Sequence, residues 1–312
     1  MRQPHVVVVG SSNTDLVIRL DRLPRSGETI SGGQFRIVPG GKGANQAVAA
    51  ARAGARVTFF ANIGRDAFGD ASLLGLRRER IETRYVARSH TAPSGTALIM
   101  VDAHGQNLIA VARGSNDELR SEHLGPARRA MSTARCLVAQ LEIPLPTVRR
   151  AIEMARRHSV PVLLNPAPAA RVPADLLRQV TFLTPNESEL SVLTGLPTRR
   201  RSEVQAAVRR LQALGVPHVL ATCGARGVCW GGATGSRWFP APKVNSLDTV
   251  GAGDCFTGVF AALFSEGKTI EQAVRFSLIA AAISVTREGA QSSMPTRLEI
   301  MRFMRLHEHG RS

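Results

Sequence analysis

Short apolar runs alternate along this chain with stretches of helical periodicity, and that alternation limits the folds open to it. HVVVVG (5–10), RVTFFANIG (56–64), RCLVAQL (135–141), VPVLLN (160–165), VTFLTP (180–185) and PHVLATCG (217–224) have the length and apolar content of buried strands. Between them GANQAVAAARAGA, DAFGDASLLGLRRERI, LPTVRRAIEMARRH and SEVQAAVRRLQALG place apolar residues at helical spacing. A strand without polar alternation is buried on both faces, and an intervening helix supplies the crossover that parallel pairing requires. The pattern predicts one α/β domain over residues 1–312, its mostly parallel central sheet flanked by helices on both faces.

Two regions depart from that rhythm. Residues 15–38 (DLVIRLDRLPRSGETISGGQFRIV) and 94–112 (SGTALIMVDAHGQNLIAVA) alternate apolar with polar residues and hold turn formers, with no helix between their runs. Such alternation predicts antiparallel strands with one wet face, so a small antiparallel β-sheet is expected close to where the first strand ends. Only the final HEHGRS has the make-up of a loose tail.

Composition narrows the classes of function. Hydrophobic residues are 44% of the chain, enough for a substantial core, and no apolar run reaches the roughly 18 residues of a membrane span. MRQPHVVVVG passes directly into a buried-strand pattern without a signal-peptide core. Cys136, Cys223, Cys229 and Cys255 form no CxxC pair, so a cytoplasmic protein with reduced thiols is expected. The formal charge of +16 is carried almost wholly by arginine, with lysine only at Lys42, Lys243 and Lys268. The arginines are spread over helix faces, as in RRAIEMARRH (149–158) and RRRSEVQAAVRR (199–210), and aromatic residues are 4% of the chain. That spread argues for solvated helix faces and a field favouring anionic ligands, and against a nucleic-acid partner.

Chemistry concentrates in DTVGAGDCFTG (248–258), which runs into the apolar helical pattern VFAALFSEG. At a helix N-terminus the first N–H groups lack partners and the dipole is positive. Gly251, Ala252 and Gly253 would let a phosphate reach those groups, with the carboxylate of Asp254 beside it to take a proton. By itself the stretch fits equally a tight strand-to-helix turn capped by Asp254.

Two further motifs accompany it. GSSNTD puts Asn13 and Asp15 on one face of extended chain, an amide and a carboxylate suited to adjacent sugar hydroxyls. PGGKGANQAVAAARAG (39–54) is glycine-rich ahead of a helix. It is not a Walker A loop, because Gly43 follows Lys42, nor a dinucleotide fingerprint, because Gln46 takes the third glycine position. In chain order GSSNTDLV, GGKGANQAVAAARAGA, NPAPA (165–169), TPNESE (184–189), TCGARGV (222–228), DTVGAGDCFTG and VTREGAQSSMP (285–295) span Val6 to Pro295. In these motifs the chain resembles the ribokinase-like family of carbohydrate and nucleoside kinases that includes phosphofructokinase B.

The resemblance implies ATP-dependent phosphorylation of D-ribose at its primary 5-hydroxyl, with Asp254 as general base. Deoxyribose, a nucleoside or a sugar phosphate stays open as acceptor, as does a non-catalytic sugar-sensing relative. It places the sugar at Asn13, Asp15, Gly41, Lys42, Asn45, Glu142 and Asp254, and the phosphates at Gly251, Ala252 and Gly253. ATP would lie along Asn186 and Thr222, Cys223, Gly224, Ala225, Arg226 and Gly227, with Leu278 in the last long helix lining the adenine pocket. Glu189 would act indirectly on Mg²⁺. Asp248, Val250, Ser284, Arg287, Gly289 and Ser293 match positions that hold K⁺. The small sheet would be a lid over the sugar, pairing with a second subunit's lid in a homodimer. Cys255, where threonine is common, would be a point of sensitivity to thiol reagents.

Overall fold

The computed structural model describes residues 3–308. β1 (His5–Val9) enters the molecule as the third strand from one edge of a nine-stranded sheet. β2 (Asn13–Arg19) and β3 (Gln34–Gly40) leave that sheet, and α1 (Lys42–Arg52) returns the chain to β4 (Arg56–Gly64). α2 (Ala67–Arg78) leads to an edge strand, β5 (Val86–Ser89), and β6 (Gly95–Val101) and β7 (Asn107–Ala112) depart again. α3 (Ala127–Met131), β8 (Cys136–Ala139), α4 (Leu145–Arg157), β9 (Val162–Leu164), α5 (Ala174–Leu177) and β10 (Phe182–Leu183) build the other wing. α6 (Glu187–Thr194), α7 (Arg201–Ala213) and β11 (His218–Thr222) extend it. The hairpin β12 (Val228–Gly232) and β13 (Gly235–Phe239) closes the sheet, before α8 (Ala252–Glu266), α9 (Ile270–Ser284) and α10 (Arg297–Glu308).

The sheet order is β13-β12-β11-β10-β9-β8-β1-β4-β5, parallel from β11 to β5. Successive valines of β1 point to opposite faces. Val6 and Val8 join one core with α1, α8 and α9, while Val7 and Val9 join a second with α3, α4 and α7. All six strands expected from the apolar runs are present, and the doubly covered sheet is the expected one. The β12–β13 hairpin was not expected; glycines at 231, 232 and 235 thin its alternation, and both its pairings are antiparallel. Leu278 lies in α9, but one further helix, α10, follows it and takes in the backbone of His307 and Glu308; the rest of HEHGRS lies outside the described residues. No helix among the described residues is long and apolar enough to cross a membrane.

The small sheet is four-stranded, in the order β3-β2-β6-β7, and its pairing corrects the expectation of purely antiparallel strands. β2–β3 and β6–β7 are antiparallel, but β2–β6 is parallel. The reason is topological: β2 follows β1 and β6 follows β5, so both leave the carboxyl edge of the parallel sheet in the same direction. The wet face is also not polar. Register puts Phe35 and Ile37 in one row system with Ile18, Leu16, Leu98 and Leu108, on the face opposite Asp15. Phe35, Ile37, Leu98 and Leu108 are about half exposed, at 60%, 56%, 53% and 48%.

Candidate active site

One cavity of about 200 Å³ is lined by the first turns of three helices: Lys42 of α1, the Asn186 cap and Glu189 of α6, and Gly251 to Asp254 of α8. Three positive helix ends on one small space favour an anion there. Gly251 adopts φ +74°, and a Cβ on it would sit 3.1 Å from Ala290, so only glycine fits without strain. A Cβ on Gly253 would meet nothing within 4 Å; it would project into open space that a ligand can use. Among the described residues the amides of Gly253 and Asp254 have no partner. Asp254 does not cap α8.

Its carboxylate instead faces α1. Asn45 Nδ2 donates to Asp254 Oδ2 at 3.0 Å, and Gln46 Nε2 donates to Oδ1 at 2.8 Å. α1 and α8 approach closely because their contact residues are small: a Cβ on Gly258 would lie 2.6 Å from the Ala49 methyl. Asp15, on β2, is buried and accepts no hydrogen bond among the described residues. Burial, then the charges of Glu142 and Asp254, raise its carboxyl from 3.8 to about 6, with Lys42 opposing. Asp254 is the largest influence holding the Lys42 ammonium above its ordinary value, against burial. Glu142 Oε2 accepts from Ser11 Oγ at 2.5 Å and from the Lys42 amide at 2.9 Å, so it also braces the start of α1.

Asn13 is set by a neighbour that sequence reasoning passed over. Asn116 accepts the Ser12 amide through Oδ1 at 2.9 Å, which leaves Nδ2 to donate to Asn13 Oδ1 at 2.7 Å. Asn13 therefore turns its own Nδ2, a donor, toward the cleft. Gly41 makes the turn into α1 at φ +86°, against the backbone of Ser12 and Asn13. Gln46, Asn116 and Gln140 were legible as candidates in one respect only: buried amides in apolar surroundings need partners.

A second cavity, of about 800 Å³, adjoins the first and shares Asn186, Thr222, Thr249, Ala252 and Gly253 with it. Gly224, Ala225, Gly227 and Leu278 line it, together with Val228, Ala241, Pro242, Phe256, Ala281 and Val285. Its apolar walls and polar junction suit a planar base joined to phosphates. Cys223 and Arg226, expected along the nucleotide, are not among its lining residues. The Cys223 side chain packs into the core beneath β11, and Arg226 turns away to pair with Glu187 and the carbonyls of Thr198 and Arg199.

The model of the pfkB family carbohydrate kinases matches residues 3–297. The chain belongs to the pfkB family. Over 304 residues it is 37% identical to a deoxyribokinase of Salmonella typhi, covering 97% of this chain and 99% of that one. It is 39% identical to a ribokinase of Bacillus subtilis, covering 95% and 98%. The structure matches that of Arabidopsis thaliana ribokinase complexed with ribose and ATP at TM-score 0.90 and 34% identity, covering 97% and 99% of the two chains.

In this pfkB kinase the loop after α9 backs the turn at Gly251 to Asp254. Asp248 accepts the amides of Val250 at 3.0 Å and Gly289 at 2.9 Å, tying the two segments together. Ser284 and Ser293 donate to the carbonyls of Ala281 and Ala290, and Arg287 reaches Glu299 at 2.6 Å. Glu288, from the same loop, pairs with Arg36 and, at 3.7 Å, with Arg19 of the lid. The Asn186–Glu189 pair forms a capping box, with Asn186 Oδ1 taking the Glu189 amide at 2.9 Å and Glu189 Oε2 the Asn186 amide at 2.8 Å. Cys255 is fully buried and burial pushes its thiol up to about 12, which corrects the expectation of thiol-reagent sensitivity: the reactive thiolate is suppressed and unreachable.

Proposed function

We propose that the chain transfers the γ-phosphoryl group of ATP to the 5-hydroxyl of D-ribose. The observation that carries this is the position of Asp254: its carboxylate lies at the junction of the anion-favouring cavity and the cluster of Asp15, Lys42 and Glu142. Adenine would fill the apolar cavity against Leu278, with the phosphates running to the free amides of Gly253 and Asp254. Phosphoryl transfer has a loose transition state, so positioning and charge stabilisation dominate. Asp254 accepts the hydroxyl proton as the bond to phosphorus forms, while Lys42 and the helix ends meet the oxygen charge. Asp15 accepts from sugar hydroxyls and Asn13 donates to them. Lid closure would exclude water as a competing acceptor.

Among the described residues no group of three or more His, Cys, Asp or Glu gathers as a metal cage. That fits Mg²⁺ carried by the nucleotide phosphates and their waters, with Glu189 at its edge; bound there, it would neutralise phosphate charge. The oxygen-rich loops around Asp248, Val250, Ser284, Arg287, Gly289 and Ser293 fit a hard monovalent cation such as K⁺. The apolar outer face of the lid would be covered by the lid of a second copy, giving a homodimer. We place the enzyme in the cytoplasm, where its thiols stay reduced.

The test is ADP formation across ribose, deoxyribose, adenosine and fructose 6-phosphate, in K⁺ and in Na⁺ salts. Ribose is expected to give the highest kcat/KM, and K⁺ the faster rate. A preference for deoxyribose would move the acceptor assignment to the chemistry of the Salmonella relative.

A further inference from the structure

Gln46 interrupts an alanine-rich helix with an amide that is wholly buried. Its Nε2 donates to Asp254 Oδ1 at 2.8 Å and to Asn165 Oδ1 at 3.0 Å, and its Oε1 accepts from Gln140 Nε2 at 2.7 Å. The orientations follow by elimination. Asn165 Nδ2 donates to the Thr184 carbonyl at 2.8 Å, an acceptor only, so Asn165 must turn its oxygen to Gln46. Gln46 then has both N–H groups committed, and only its oxygen remains for Gln140. At the far end Gln140 Oε1 is buried with no partner among the described residues. An unpaired buried acceptor costs stability, so packing alone does not account for Gln140. Its single hydrogen bond is the one that locks Gln46.

We propose that Gln46 is a positioning residue for phosphoryl transfer. With Asn45 it clamps both oxygens of Asp254, and Gln140 and Asn165 hold Gln46 itself in place. The inference rests on Asp254 being the base. Lys42, Asp15 and Glu189 bring charge to bear near that carboxylate and would pull or push it without the clamp. Held by two donors, Asp254 directs its remaining lone pairs at the acceptor hydroxyl.

The experiment compares Gln140→Met, Gln46→Leu and Gln46→Glu with Asp254→Asn, measuring kcat, KM for ATP, the pH profile and the thermal midpoint of the full chain. Gln140→Met removes the lock and its own unpaired acceptor but leaves Gln46 Oε1 unpaired in exchange, so the midpoint is expected to hold within a few degrees while kcat falls about 10-fold. Gln46→Leu is expected to lose roughly 10²-fold in kcat with KM for ATP within about 2-fold. Gln46→Glu sets a second carboxyl against Asp254. The pair then shares a proton, and the acid limb of kcat moves up by about one pH unit or more. A structural role gives the opposite split, a lower midpoint with kcat and acid limb unchanged, and that result overturns the proposal. If Gln46→Leu does not fold, Gln140→Met and Gln46→Glu decide. Turnover retained in Asp254→Asn would instead remove the base itself, whatever the glutamine variants do.

Discussion

Where α1 lies against α8, every residue from Gly43 to Ala50 is buried; in the lid, every residue of β7 and all but two of β3 are exposed. The two regions face the same cleft and are built in opposite ways. The floor joins small side chains, closely packed helices and buried amides that donate to both oxygens of Asp254. The lid is a sheet with an apolar outer face and a few ties back to the body, such as Arg36 to Glu288. Dense burial and committed hydrogen bonds resist local opening, whereas thin, exposed sheets yield. On the proposed function, preorganised charge would sit in the half that resists opening, and water exclusion would be left to the half that yields.

That contrast can be broken first at the floor. Asp254→Asn is expected to lower kcat by about 10²–10⁴ while ATP still binds, as read by steady-state kinetics and nucleotide titration. Near wild-type turnover would falsify the assignment of chemistry to the floor.

The lid side is sharpened by Asp15. Its carboxyl titrates at about 6 in the folded protein against 3.8 ordinarily, so the folded state holds the extra proton between those values. The stability this contributes is fully present below about 3.8 and is lost as pH rises through about 6. On the proposed function, in which the ionised Asp15 accepts from sugar hydroxyls, ribose should bind more weakly below about pH 6 by calorimetry. Asp15→Asn is expected to raise KM for the sugar at least about 10-fold and to flatten that pH dependence. It should also raise the thermal midpoint at neutral pH, since an unpaired buried charge is gone. A variant that keeps the acid-side loss of affinity would place the titration elsewhere.

A smaller effect is expected from Ile37→Glu on the outer lid face. Light scattering should show a shift from dimer toward monomer, with kcat reduced only several-fold, because the floor is untouched. Unchanged mass and unchanged kcat would mean that the face has no lid partner. The least effect is expected at Cys255: native protein should keep its activity through an iodoacetamide treatment that modifies the thiol once the chain is unfolded.

Much of this was legible before any coordinates. The apolar runs marked six strands, and the helix mouth at Gly251 to Asp254 was readable because both depend on neighbours a few residues apart. Asn13, Asp15 and Lys42 were likewise local patterns, and all three reach the cleft. The β12–β13 hairpin was not legible, since its glycines erase the alternation that identifies strands. Where the side chains of Cys223 and Arg226 turn was not legible either, because which side of β11 a residue turns to is a matter of core and partner rather than motif.

The sequence by itself determined the layered α/β plan, the glycine-lined helix end and the acid beside it, all of which follow from short-range period and backbone freedom. Only the tertiary structure decided what holds that acid: Gln46 and Asp254 are 208 residues apart and meet because two helices of small residues lie against each other. It decided equally that β2 and β6 run parallel and that Asn13 presents its amide nitrogen. Hydrogen-bond partners and strand direction depend on where distant segments are brought together, and no local spacing encodes that.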